Sequence, residues 1–271
     1  MNLKDKKVVI TGGAGGIGAA MARIFAKQGA KIVLSDLNLS TAEAIAKEID
    51  GIAIACDVSN EEHVRKLINQ AEAHFGDIDL FCSNAGLAIG EPSHAASASD
   101  NDWMLNWQVH VMAHVYASRA LLPKMIERGE GYLLNVASAA GLLCQIGDAA
   151  YSATKNAAVS LAQSLAITHA DDGINVSVVC PQYVKTDLLG LSEEHSNSPL
   201  LGVISAEDCA KKILKGIEDE DFLILPHPEV KKYMAYRGND TNGWIDGMTQ
   251  MRRGLIDDEG KIDIVRALTG S

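Results

Sequence analysis

A tyrosine and a lysine stand four residues apart in "YSATKNAAVS", Tyr151 and Lys155, among small residues with little other chemistry to offer. On a helix that spacing puts both side chains on one face. A free phenol titrates near pH ~10, and an adjacent ammonium favours the phenolate and so lowers that value. The pair is suited to moving a proton near neutral pH. An ordinary surface helix could carry the same spacing by accident, so the rest of the chain has to decide.

A glycine-rich segment, "VVITGGAGGIGAAMARIF", offers different chemistry. Gly13, Gly15 and Gly18 fit GxGxxG, while Gly12, Gly16 and Gly18 fit TGxxxGxG. In either frame, glycine lets backbone amides approach a pyrophosphate at the positive end of the helix that follows. Asp36 ends the second apolar run, eighteen residues after Gly18. A carboxylate there can accept hydrogen bonds from an adenosine ribose diol and would repel a 2′-phosphate. Neither Leu37 nor Asn38 supplies a cation to neutralise such a phosphate, so the pattern points to NAD rather than NADP. A methyltransferase would also set an acid there to hold a ribose, and these two features alone leave both classes open.

The elements that must position these groups are legible as alternation. Short apolar runs at 7–11, 31–36, 52–57, 78–86, 131–138, 174–181 and 222–226 are separated by helix-period segments near 16–28, 40–49, 60–75, 100–128, 151–170 and 206–218. The runs lack polar alternation, as expected of parallel strands covered on both faces. This predicts an α/β fold, a doubly wound parallel β-sheet of the Rossmann type with helices on both faces. Residues 1–226 then make a single dinucleotide-binding and catalytic domain. Residues 187–204, leucines mixed with turn formers, read as a substrate lid, and 227–271 as a C-terminal extension of the same domain.

Composition narrows the partners. With 47% hydrophobic and 22% charged residues, the 271-residue chain is of the ordinary soluble globular kind. A net charge of -11 argues against nucleic-acid and anionic-membrane partners. No window approaches the ~20 apolar residues of a membrane span. Five cysteines lie scattered without CxxC spacing, which supports neither a zinc site nor a disulfide framework. The N-terminus runs straight into a strand-like stretch with no signal peptide, and a reducing, cytoplasmic setting is expected.

With "TGGAGGIG", "CDV", "SNAG", "NVAS" and "YSATK" in this order, the chain resembles the short-chain dehydrogenase/reductase family over about residues 5–225. The resemblance implies that Gly12, Gly16 and Gly18 cradle the pyrophosphate, with Ile17 packed within the turn and Leu37 beside the ribose acid Asp36. It implies that Asp57 contacts the adenine amine, that Val58 lies beside the ring, and that Asn84, Ala85 and Gly86 line the cofactor. "PQYVKT" resembles the family's PGxxxT segment, whose Val184 backbone and Thr186 hydroxyl would hold the nicotinamide carboxamide. Ser138, thirteen residues before Tyr151, suits the catalytic serine that fixes the substrate oxygen. Tyr151 would be the general acid/base, and Lys155 would hold the nicotinamide ribose and stabilise the phenolate.

Three departures from the family pattern stand out. Ser83-Asn84 replaces paired asparagines, and Gln182 replaces glycine after Pro181. His110 stands where the family has an asparagine that shapes a helix kink and a water-linked proton relay; it could serve in the same relay, or simply pack. His110 and His114 have a zinc-pair spacing, but Val111 stands where HExxH has its glutamate and no third ligand suggests itself, so no metal is expected. The expected activity is NAD-dependent interconversion of a small apolar secondary alcohol and a ketone. The pocket would be drawn from 87–94, 139–148, Gln182, Tyr183 and the lid, in a homodimer or homotetramer built through 100–128 and 151–170. A non-catalytic NAD-binding regulator is the alternative, and an S-adenosylmethionine-dependent methyltransferase a remoter one.

Overall fold

Successive residues of each strand feed two different hydrophobic layers. In the computed structural model, which describes residues 1–91, 93–189, 202–257, 261–263 and 268, strand β1 (Lys7–Thr11) sends Val8 and Ile10 to one layer and Val9 to the other. Strands β2 (Lys31–Asp36), β4 (Leu80–Ser83) and β5 (Gly131–Val136) do the same: Ile32 and Leu34 oppose Val33, Leu80 and Cys82 oppose Phe81, Leu134 opposes Leu133. Both faces of the sheet are therefore apolar, which is why the runs show no polar alternation. Each such side chain taken fully out of water contributes roughly 1.5–3 kcal/mol.

With β3 (Ile52–Ala55), β6 (Ile174–Val179) and β9 (Leu223–Ile224), these strands form one seven-stranded sheet in the order β3-β2-β1-β4-β5-β6-β9. Every pairing is parallel. Helix α1 (Gly16–Lys27) lies on one face, and α3 (Glu61–Phe75) on the other. Helix α2 (Leu39–Glu48) shares the face of α1. The strand order reverses between β1 and β4, so a crevice opens at their carboxyl ends, where such sheets bind ligands.

Local chemistry sets the helix ends. Asn60 caps α3, accepting from the amides of Glu62 and His63, and Gly76 (φ +84°) closes it. The long helix expected over 100–128 is α4 (Asp100–Trp107), a π-helical segment (Gln108–Met112) and α5 (Ala113–Arg128) in unbroken succession. A short α6 (Ala140–Leu143) precedes α7 (Ala149–Thr168).

Two features were not foreseen from the pattern. Beyond β6, a small parallel pair joins β7 (Tyr183–Lys185) to β8 (Val203–Ser205), ahead of α8 (Ala206–Asp219). The expected lid begins as a single tight turn, Asp187–Leu189, and its residues 190–201 lie outside the described residues. The C-terminal extension is helical, α9 (Glu229–Asn239) and α10 (Thr241–Leu255). Its Val230, Met234 and Trp244 pack on Ala139, Leu142 and Leu143, so it rests against the loop that follows β5. No described helix is long and apolar enough to cross a membrane.

Candidate active site

The cradle is built by close backbone approach. Gly12 has φ +64°, and a Cβ there would lie 2.8 Å from Ala85 Cα; one on Gly18 would lie 2.1 Å from Gly12 O. Only glycine fits at either position. Asn84 ties the turn to β4, its Nδ2 donating to Thr11 O (2.9 Å) and Gly12 O (3.2 Å). Thr11 Oγ1 accepts from the amides of Asn84 and Ala85, at 2.9 and 3.1 Å. Helix α1 opens at Gly15 with no side-chain cap and no acid in its first turn, and a Cβ on Gly15 would meet nothing within 4 Å. The first-turn amides of an uncapped helix end carry the positive end of its dipole, which fits a pyrophosphate. Ile17 packs against the core layer beneath.

Around this turn the sequence-predicted cofactor residues converge. Asp36 Oδ2 accepts from Ala14 N–H (3.0 Å) and Oδ1 from Asn38 N–H (3.0 Å), which fixes the carboxylate between the glycine turn and α2. Leu37 beside it is 76% exposed, an apolar surface at the rim. Asp57 Oδ1 accepts from the amide (2.9 Å) and the hydroxyl (2.6 Å) of Ser59, leaving Oδ2 for another donor, and Val58 is buried. Thr186 Cγ2 would stand 3.1 Å from a Cβ on Gly16, so the segment after β7 closes over the cradle. Val184 beneath it is buried.

Ser138, Tyr151 and Lys155 meet at the carboxyl end of β5. Ser138 Oγ accepts from Ala140 N–H (3.1 Å) and faces Pro181 O at 3.5 Å. It stands close enough to the Tyr151 phenol to lower its pKa. Lys155 is buried; its Nζ donates to Val136 O (3.1 Å), lies 5.6 Å from the Tyr151 ring centre and would be 3.5 Å from a Cβ on Gly86. Burial holds the ammonium down at about 8, with Cys180 opposing. The expectation that the lysine depresses the phenol is corrected. Burial raises the Tyr151 pKa above its ordinary value, Ser138 opposes, and the charges of Asp148 and Cys180 add to the rise. Desolvation disfavours the anion, and one of the three Lys155 ammonium donors is directed at a carbonyl of β5.

The π-helical segment brings His110 under this group, fully buried. Its Nε2 accepts from Leu87 N–H (3.2 Å), so Nδ1 carries the hydrogen and donates to Thr154 Oγ1 (3.0 Å), which in turn donates to Ala150 O (2.8 Å). The ring also meets Tyr151 edge to face at 5.3 Å. Burial, with the charges of Lys155 and His114, holds it neutral at about 2. His114 is equally buried and pushed to about 3 by burial and then by Lys155. Neither ring nitrogen of His114 has a partner among the described residues; Asn135 is close enough to favour the charged ring, but the two do not reach hydrogen-bond geometry. A cavity of about 10 Å³ borders His114, Ser83, Thr11 and Phe81. His110 Nε2, on a histidine at zinc-pair spacing from His114, is thus already held by a backbone amide.

Sequence reasoning missed the clamp at the start of α7. Asp148 Oδ1 accepts from Tyr151 N–H (3.0 Å) and Oδ2 from Gly90 N–H (3.1 Å), while Glu91 Oε2 accepts from Ala149 N–H (3.1 Å). The two acids lock the loop after β4 to the helix that carries Tyr151. An aspartate directly ahead of a helical segment is a capping signal, and it could have been read. The Thr154 hydroxyl left no such trace.

The short chain dehydrogenase family model matches residues 6–197. The chain is 32% identical over 240 residues to 1-deoxy-11-beta-hydroxypentalenate dehydrogenase of Streptomyces exfoliatus, covering 85% of this chain and 86% of that protein. A short chain dehydrogenase/reductase from Burkholderia phymatum, solved in complex with NAD, superposes with a TM-score of 0.79 at 28% identity, covering 89% of this chain and 95% of that one. A 3-ketoacyl-(acyl-carrier-protein) reductase from Brucella melitensis complexed with NADH gives 0.75 at 30% identity, covering 82% and 97%.

Proposed function

Because the chain belongs to the short-chain dehydrogenase/reductase family and is an oxidoreductase of that type, we propose that it interconverts a small apolar secondary alcohol and its ketone, using NAD in preference to NADP. The observation that carries this reading is the convergence of the Ser138 hydroxyl, the Tyr151 phenol and the buried Lys155 ammonium beside Gly86, at the open end of the glycine cradle. When bound, NAD supplies the carbon that accepts or returns a hydride; an oxidised nicotinamide is also cationic, which favours the phenolate.

The chain's own residues do the rest. Ser138 holds the substrate oxygen by a hydrogen bond, and Tyr151 Oη takes its proton in alcohol oxidation or returns it in ketone reduction. Lys155 holds the nicotinamide ribose. His110 takes the place of the family asparagine through backbone: it bonds Leu87 N–H, one residue beyond the Gly86 that lies against Lys155. Val184 and Thr186 hold the nicotinamide carboxamide, and Asp57 and Val58 the adenine. Asp36 sets the NAD preference, because its carboxylate would repel a 2′-phosphate. The exposed Ile89 supports an apolar substrate. Exposed Met104, Leu105, Trp107 and Ile167 on α4 and α7 support a homodimer or homotetramer. Residues 1–226 are read as one domain with 227–271 attached, and the buried free thiols Cys56, Cys82, Cys180 and Cys209 suit a reducing cytoplasm.

NADH fluorescence, followed while a panel of secondary alcohols and ketones is added with NAD or NADH, tests the reading. Turnover of at least one substrate that disappears in Tyr151→Phe is expected. NADH binding without turnover across a broad panel would instead establish a non-catalytic regulator.

A further inference from the structure

His227 lies in "LILPHPEV" after β9, outside every motif that carries the family likeness, yet it is only 2% exposed. Its ring spans two adjacent backbone groups of a distant segment. Nδ1 accepts from Gln182 N–H (3.0 Å), and Nε2 donates to Tyr183 O (3.1 Å). One nitrogen must be bare and the other protonated, so both the tautomer and the neutral state of the ring are specified.

The mount for this ring is firm. His227 O accepts from the amide of the fully buried Val230 (3.1 Å), opening the first turn of α9, and Pro226 O accepts from Lys212 Nζ of α8 (2.5 Å). What the ring holds is the turn between β6 and β7. On one side of that turn, Pro181 O accepts from Ala139 N–H (2.8 Å) and faces Ser138 Oγ. On the other side follow buried Val184 and Thr186 above the glycine turn. The glycine usual after this proline is Gln182 here, and its backbone stays out of the left-handed region.

We infer that His227 is a positioning residue for the nicotinamide end of the cofactor: its ring sets the Pro181–Thr186 segment against both Ser138 and the glycine cradle. This rests on the proposed NAD-dependent function. Protonation of Nδ1 would set a second donor against the Gln182 amide and open the clamp. Burial opposes that protonation and lowers the His227 pKa; Glu229 of α9 and the carbonyls of Tyr183 and Gly202 favour protonation, and Lys212 of α8 opposes it.

Two variants and two ligands test the inference. NADH and ADP-ribose share the adenosine and pyrophosphate, and only NADH carries a nicotinamide. Loss of one or two hydrogen bonds to the turn corresponds to about tenfold or more in affinity, so His227→Leu should weaken NADH by that factor and leave ADP-ribose unchanged. His227→Gln, whose amide can accept and donate in the same places, should restore NADH affinity and abolish the weakening seen on acidification. Equal loss for both ligands, or no loss for either, would overturn the role. If His227→Leu does not fold, nitrogen-15 spectra of the unaltered chain decide: a neutral ring protonated at Nε2 is expected, and one protonated at Nδ1 overturns the inference. Failure of the unaltered chain to bind NADH while it keeps that ring state would overturn the function itself, and the positioning role with it.

Discussion

Acidification from about pH 7.5 to about pH 5 should cost the fold about 2 kcal/mol through His110 and a similar amount through His114. Both rings are held neutral, at about 2 and about 3, by burial and by the Lys155 charge. In the unfolded chain each titrates near ~6.5. Below that value the unfolded state binds more protons than the folded one, so stability falls as pH falls. The contribution is whole above ~6.5 and drains away down to the folded values. At pH ~5 an imidazole is ~1.5 units below its unfolded pKa, and ~1.36 kcal/mol per unit gives the figure of ~2 kcal/mol. It requires only that the folded pKa lie well under 5. Urea unfolding of the unaltered chain, His110→Asn and His114→Gln at the two pH values, at one protein concentration, measures it. Groups common to all three proteins cancel from the comparison. The hydrogen bonds lost by His110→Asn lower its stability at both pH values, and cancel too. Each variant should show about 2 kcal/mol less pH dependence. A variant as acid-sensitive as the unaltered chain would refute the claim that its imidazole is buried and neutral.

Tyr151→Phe should cut turnover by a factor of about 10²–10⁴ with NADH affinity nearly intact; a fluorescence titration beside a steady-state assay reads both, and wild-type turnover would contradict the proton-transfer role. Lys155 is charged below about 8 and neutral above it, so NADH affinity should decline as pH rises through that value. Lys155→Met should bind weakly at every pH, and a decline of equal steepness in that variant would assign it to another group. Asp36→Ala should narrow the NAD over NADP preference by about tenfold, ~1.4 kcal/mol, in kcat/KM measured with each cofactor; equal efficiencies before the substitution would already contradict the assignment. Asp148→Ala removes the cap of α7 and should cost about 1 kcal/mol in urea unfolding, with kcat reduced because the loop at Gly90 is released; an unchanged midpoint would show the cap to be redundant.

The sheet was legible because both of its faces are buried. Strands such as Gly131–Val136, buried at every position, announce themselves by apolar content alone. The glycine turn and the Ser138, Tyr151 and Lys155 spacing were legible for a different reason: backbone proximity and helical geometry fix residue type and interval. The direction of the Tyr151 shift was not legible, since desolvation depends on what packs around the phenol and no local spacing records that. The same holds for His227, whose partners Gln182 and Tyr183 lie far back in the chain, and for the β7–β8 pair, whose strands are only three residues each. The helical tail was read only as an extension because "YRGNDTNGWIDGM" is rich in turn formers, although Asp240 in fact caps a helix there.

The π-helical turn at Gln108–Met112 has a consequence for how this chain can change. Each residue of an α-helix turns its successors by about 100°. A widened turn therefore acts as a frame marker between two halves of one rod. Downstream, Ala117, Leu121 and Met125 are committed to the core; upstream, Asn106 is buried while Trp107 is exposed. Deleting one residue between them would heal the rod into regular helix and leave one half facing the wrong way by about 100°. Side chains along α4 can be exchanged without disturbing this frame, but its length cannot change. Where backbone hydrogen bonds alone would prefer the regular turn, the packed residues of α5 keep the irregular one, and through it the place of His110 beneath Tyr151.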